Sequence, residues 1–273
     1  MKKFLAFILV MAMMCCVLVS CNNVQKQTEK EDDASSQPIA EPTAQELLEE
    51  ADNALLTAPY KMTITMDFGC DDEMLDQAFS MMSMEIPVVV DGNNILMNYS
   101  MNVMGYNVEM EITLVDSVMY YNMNIMDQTE KMKCTLTEEQ YQEFMQSNNT
   151  QKPLSFEQFG ELTAEKKDGK TYIDCTQISE EGIAELNKQL ADSLSSLGAE
   201  ASFKDLTYYI VLKDGKYESM NMDCDYTMTL EGKTYTVNMA IGYVFDYSEA
   251  ATVAAPADAN DYREVDYAEI MGQ

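Results

Sequence analysis

Seven cysteines, 24 methionines, 47 acidic residues and no histidine bound the chemistry open to this 273-residue chain. Without imidazole there is no Ser-His or Cys-His triad and no histidine-ligated metal. The remaining enzymatic routes need paired carboxylates or a Ser-Lys couple. Among 47 acids, neighbouring carboxylates arise by chance, so their proximity in sequence says nothing. No phosphate loop, dinucleotide fingerprint or nucleophile elbow is present. The inventory points away from an enzyme. Nor is there an Asp-x-Asp-x-Asp-Gly loop for calcium, and Asp71-Asp72-Glu73 reads as a solvated helix start. No metal and no cofactor is expected. A formal charge of −30 repels nucleic acid, which is excluded as a partner.

What remains is soft sulfur. Cys70, Cys134, Cys175 and Cys224 fall in phase with Phe68, Met132, Ile173 and Met222, on the apolar side of alternating segments. Buried thiols are the plain reading. Outside the cytoplasm disulfides become available, and Cys134 with Cys175 is the preferred pair. Each of these two ends a strand and is followed by threonine and a capped helix, so the pair forms if those junctions lie side by side. Methionine is flexible and polarizable, suited to adaptable apolar pockets. Met62, Met66, Met97, Met101, Met110, Met119, Met123, Met220, Met222 and Met239 are candidates to line a cavity for acyl chains. A closed core filled by the same side chains is the competing reading.

Position relative to a membrane comes from the N-terminus. Lys2 and Lys3 precede an uncharged apolar run from Phe4 to Leu18 and a small Ser20, which is a secretory signal over residues 1–20. The run is short for a membrane span, which needs about 20 residues. Leu18-Val19-Ser20-Cys21 resembles the lipobox of bacterial lipoproteins: an aliphatic residue, a tolerant position, a small residue, then cysteine. The resemblance implies diacylglyceryl on the Cys21 thiol and cleavage before it. The protein is then held by lipid on the extracytoplasmic face of the cell membrane. Residues 21–42 are polar and acidic, too poor in apolar side chains to offset their ordering entropy. They read as a disordered tether reaching roughly 25 Å.

Residues 43–273 read as one domain. Thr43-Ala44-Gln45-Glu46 has the form of a capping box, and Leu47, Leu48, Ala51, Leu55 and Leu56 share a helical face stopped before Pro59. Tyr60, Met62, Ile64, Met66 and Phe68 then alternate as a strand, and Asp72 to Met84 reads as a short helix. A short strand Pro87 to Val90 turns at Asp91-Gly92-Asn93-Asn94, and alternating strands follow to Ile125. Asp168-Gly169, Asp214-Gly215 and Glu231-Gly232 mark later hairpins, because Asp-Gly suits a turn with two positive φ angles. Two helices interrupt the strands. Thr137 and Gln140 form a capping box for one, with Tyr141, Phe144 and Met145 inward; Ser179 caps the other, whose stripe is Ile183, Leu186, Leu190, Leu194 and Leu197.

The chain is similar to a group of Gram-positive lipoproteins related to the LolA/LppX-like superfamily. The likeness is strongest in Pro59-Tyr60-Lys61-Met62-Thr63, Ser179-Glu180-Glu181-Gly182-Ile183 and Pro256-Ala257-Asp258-Ala259-Asn260-Asp261-Tyr262. It implies an α+β fold with a curved antiparallel sheet, an unclosed half-barrel, wrapped over a few helices. It also implies a lipid-like ligand between sheet and helices, and it carries no catalytic residue. Two functions stand: a lipid-binding or carrier module, and a cell-surface structural or interaction protein enclosing only its own side chains. The protein partner is unspecified.

Overall fold

The computed structural model describes residues 42–80, 83–103, 106–125, 128–148, 162–175, 178–184, 187–188, 200–230, 232–248 and 251–270. The expected signal, Cys21 and almost all of the expected tether lie outside them. The architecture is α+β: helices against an unclosed twelve-stranded sheet that is antiparallel apart from one pair.

Helix α1 (Ala44–Thr57) starts where the sequence places it. Thr43 Oγ1 accepts from the Glu46 amide at 3.2 Å, and the Thr43 amide donates to Glu46 Oε2 at 2.8 Å, so two otherwise orphaned donors are satisfied. Ala44, Leu48, Ala51 and Leu55 are its buried stripe. Leu56, expected on that face, is 59% exposed, because at 100° per residue it follows Leu55 off the edge of the stripe.

Strand β1 (Tyr60–Cys70) leads to helix α2 (Glu73–Ser80), which ends short of the expected Met84. Met84 instead opens β2 (Met84–Asp91), which extends three residues beyond the expected start at Pro87. Pairing with β1 supplies the reason: Met66 stands opposite Met84 and Thr63 opposite Pro87. Antiparallel hairpins continue through β3 (Asn94–Val103), β4 (Tyr106–Val115), β5 (Val118–Ile125) and β6 (Gln128–Thr135), ending at helix α3 (Glu138–Asn148). The α3 capping box forms as expected, with the Gln140 amide 3.2 Å from Thr137 Oγ1 and the Thr137 amide 2.9 Å from Gln140 Oε1. Phe144 is buried and Tyr141 half-buried.

A second meander runs through β7 (Thr163–Lys167), β8 (Lys170–Asp174), β9 (Glu200–Lys213), β10 (Lys216–Leu230) and β11 (Lys233–Asp246). Asp168-Gly169 and Asp214-Gly215 both have two positive φ angles, the geometry that Asp-Gly was expected to supply. Between β8 and β9 the Gly182 amide donates to Ser179 Oγ at 3.0 Å, so the second helix starts at its expected cap. Of its stripe Ile183 is half-buried, while Leu186, Leu190, Leu194 and Leu197 lie outside the described residues.

Strand order is β12-β6-β5-β4-β3-β2-β1-β11-β10-β9-β8-β7. The two meanders are joined by β1 and β11, in register from Lys61 opposite Asp246 to Cys70 opposite Val237. After β11 the chain crosses to the far edge. A 3-10 turn (Ala259–Asp261) precedes β12 (Arg263–Glu264), which pairs in parallel with Met132 and Lys133 of β6; a short helix α4 (Tyr267–Ile270) follows.

One face of the sheet is the core. Cys134, Met119, Leu114, Ile95, Val90 and Tyr60 are successive cross-strand neighbours over six strands, each at most 2% exposed. Half-buried Ile64 of β1 and buried Tyr243, Met220, Ile210 and Ile173 form a second cross-strand row through the other meander. Leu48, Leu55, Phe79 and Phe144 from the helices join the same cluster. Fully burying one such side chain contributes roughly 1.5–3 kcal/mol.

Candidate functional site

The methionines fall into two groups on the apolar face. Met62 and Met66 of β1, Met220 and Met222 of β10 and Met239 of β11 lie at the centre of the sheet, and all are buried. Met97, Met110, Met119 and Met123 lie on β3–β5. Met97 and Met119 are buried, whereas Met110 and Met123 are half-buried; the Met101 side chain is outside the described ones. Alternation along each strand brings these side chains to one face, as the sequence indicated.

Tyrosine hydroxyls are paired with several thioethers. Tyr99 Oη donates to Met97 Sδ at 3.4 Å, Tyr121 Oη to Met123 Sδ at 3.3 Å, and Tyr208 Oη approaches Met220 Sδ at 4.0 Å. Sulfur is a weak acceptor, yet it gives a phenol on an apolar face a partner that leucine would not. Tyr208 is fully buried, and desolvation holds its phenol well above its ordinary pKa, with Tyr243, Cys175 and Asp52 adding negative character nearby.

Burial along β3–β5 is graded. The row Ile95, Leu114, Met119 is closed, but further along the same face Tyr99, Ile112, Met110, Tyr121 and Met123 are half-buried. These five form an apolar strip continuous with the core and partly open to solvent.

All four cysteines beyond residue 21 are thiols. The expected Cys134–Cys175 bridge is therefore corrected. Cys134 is on β6 and Cys175 directly follows β8, and those strands stand nine places apart in the sheet. With strands about 4.8 Å apart, the two junctions are not neighbours along the sheet. Cys134, Cys175 and Cys224 are buried, as their phase indicated, and Cys70 is half-buried. Desolvation pushes the Cys134 thiol up to about 11 and the Cys175 thiol to about 12, the latter helped by Asp174. Thiols so held are poor nucleophiles.

The opposite, polar face carries two troughs that the sequence reading did not single out. One, of about 470 Å³, crosses β2–β6 and is lined by Asn98, Ser100, Glu109, Glu111, Asn122 and Asn124 among others. Asn122 Oδ1 and Asn124 Oδ1 are buried there without a hydrogen-bond partner among the described residues. The other, of about 550 Å³, crosses β7–β9 beside Tyr172 and Tyr209. Of the ten methionines only Met110 lines either trough. A signal for the second trough was present: with Ile173 and Cys175 inward, Tyr172 must point outward, as must the second tyrosine of Tyr208-Tyr209.

Among the described residues no three His, Cys, Asp or Glu side chains converge as a metal site would, and no helix is long and apolar enough to cross a membrane. No family model matches the chain, and no curated protein does. Among solved structures the chain is similar to the ywiB protein of Bacillus subtilis at 10% identity, over 68% of this chain and 91% of that one, with a TM-score of 0.20. So slight a likeness says nothing of what this chain does.

Proposed function

We propose that this is a lipoprotein anchored through Cys21 to the extracytoplasmic face of a membrane, of LolA/LppX-like build, that holds a lipid-like ligand on its apolar sheet face. The observation carrying this reading is the half-buried strip Tyr99, Met110, Ile112, Tyr121 and Met123 on β3–β5. It offers adaptable thioether and aromatic surface to an acyl chain, continuous with a closed core that fixes its position. The open sheet supports the same reading, since an unclosed edge lets a long chain enter sideways.

Two measurements test it. Native mass spectrometry of the purified protein is expected to show added mass of lipid size, lost on Met110→Glu with Met123→Glu. A bare polypeptide mass under several gentle preparations rejects the ligand. Cys21→Ala is expected to abolish processing and move the protein out of the membrane fraction; unchanged fractionation rejects the anchor.

A second reading has its own observation. Met62, Met66, Met97, Met119, Met220, Met222 and Met239 are 0–8% exposed, as packed core side chains are. In that reading the protein is a surface interaction module with a filled core, and the mass spectrum again decides.

A further inference from the structure

The polar face at the β7 end of the sheet holds an arrangement that packing alone does not account for. In register across three strands, Glu165 stands opposite Tyr172 and Tyr172 opposite Val211. One step along, Thr163 stands opposite Asp174 and Asp174 opposite Tyr209. The two tyrosine rings lie with centroids 6.1 Å apart and planes tilted by 34°. They shelter one apolar neighbour, since Val211 is 7% exposed. Tyr209 nonetheless keeps 42% of its surface open, inside a trough of about 550 Å³.

The chemistry of the lining is specific. Ring faces carry the negative end of the aromatic quadrupole, and Glu165 and Asp174 add full negative charges at the same wall. Their effect reaches the phenol: partial desolvation first, then Tyr172, Asp174 and Glu165, raise the pKa of Tyr209. A small metal ion keeps its water and gains nothing from the rings. A neutral sugar can stack and donate hydroxyls to the carboxylates, but it gains no net charge attraction from them. A cation with an apolar shell gains from both. Lys170 is neutralised by Glu218 at 2.5 Å, which leaves Lys167 as the lysine on the lining.

We infer that the Tyr172–Tyr209 trough, walled by Glu165 and Asp174, is a binding site for a quaternary ammonium group. Such a group occurs in choline headgroups of lipids and in soluble betaines and methylated amines. The site is on the face opposite the apolar strip, so it stands or falls independently of the acyl ligand.

The test is calorimetric titration of the full chain with choline chloride, alongside the neutral isostere in which tert-butyl replaces trimethylammonium, and glucose. Choline is expected to bind saturably in the millimolar range and the isostere at least about fivefold more weakly. Tyr209→Ala is expected to weaken choline about fivefold, Tyr209→Phe to leave it unchanged because the ring face remains, Asp174→Asn to weaken it, and Lys167→Ala to strengthen it. Thermal midpoints of the variants check that each is folded. Co-sedimentation of the Cys21→Ala protein with phosphatidylcholine vesicles, lost in Tyr209→Ala, assigns the group to a lipid headgroup; choline binding without co-sedimentation assigns it to a soluble ligand. Absence of saturable choline binding, equal binding of the isostere, or tighter binding of glucose overturns the inference.

Discussion

Tyr217 Oη donates to Asp52 Oδ1 at 2.8 Å, tying α1 to β10 across 165 residues of sequence. Around this bond Tyr60, Tyr217, Phe245 and Tyr247 pack ring against ring, with centroids 5.6–6.5 Å apart. Tyr217 is 1% exposed, so its hydroxyl has no recourse to water. Tyr217→Phe is expected to destabilise the fold by about 1.5–3 kcal/mol, as hydrogen bonds to charged groups do. A double-mutant cycle with Asp52→Ala, read by denaturant unfolding, measures the coupling. A coupling near zero would show that α1 is held by its leucines alone.

The same cluster dictates how stability depends on alkali. Burial raises the phenols of Tyr60, Tyr208, Tyr217 and Tyr247 above their ordinary 10.0, and the thiols of Cys134 and Cys175 from 9.0 to about 11 and 12. Above these ordinary values the unfolded chain gives up protons that the folded chain keeps, so the unfolded state gains. Stability is expected to be fully present below pH 9 and to fall progressively from pH 9 upward. Thermal midpoints against pH, with phenolate absorbance as a second readout, check this. Tyrosines that ionise freely at pH 10 in the native protein would contradict it.

Thiol chemistry is expected to be ordered. Cys70 is half-buried and Cys134, Cys175 and Cys224 are buried. Of these four thiols a maleimide should label Cys70 first and the others only after denaturation. Peptide mapping without reductant should give Cys134 and Cys175 as separate thiol peptides; a joined peptide would refute the strand order.

The C-terminal segment acts as a strap on the β6 edge. Tyr262 is 5% exposed and meets Tyr120 edge-on at 5.4 Å. Lys131 pairs with Asp258, Lys133 Nζ donates to the Ala259 carbonyl at 3.0 Å, and the Val265 amide donates to the Lys133 carbonyl at 2.9 Å. Tyr262→Ala is expected to cost about 3 kcal/mol, and Lys131→Ala far less because that ion pair is solvent-accessible. Loss of the strap also bares the β6 edge, so self-association should rise, as light scattering would show.

Much of this was legible from local pattern. Strand phase placed Met62, Met66, Met220, Met222 and Met239 on one face, and the caps at Thr43, Thr137 and Ser179 fall where expected, because both signals are decided within a few residues. What was not legible is what distant segments decide. No local feature of Tyr60 to Cys70 announces Lys233 to Asp246 as its neighbour, and the Cys134–Cys175 pairing failed on that point of topology. The turn at Asp116-Ser117 was also missed, since both residues carry positive φ without a glycine to mark it. The outward tyrosines Tyr172 and Tyr209 were visible in phase but were overshadowed by the inward methionines.

Joining the two meanders through the first and last long strands has a kinetic consequence. Each meander can zip up from its own short turns, but β1 acquires its second neighbour only when β11, some 170 residues later, has been made. Contacts of such sequence separation slow folding, because the chain must close a long loop before the contact returns any free energy. A nascent chain therefore holds β1 with one side unpaired until β11 emerges, and completes its core late.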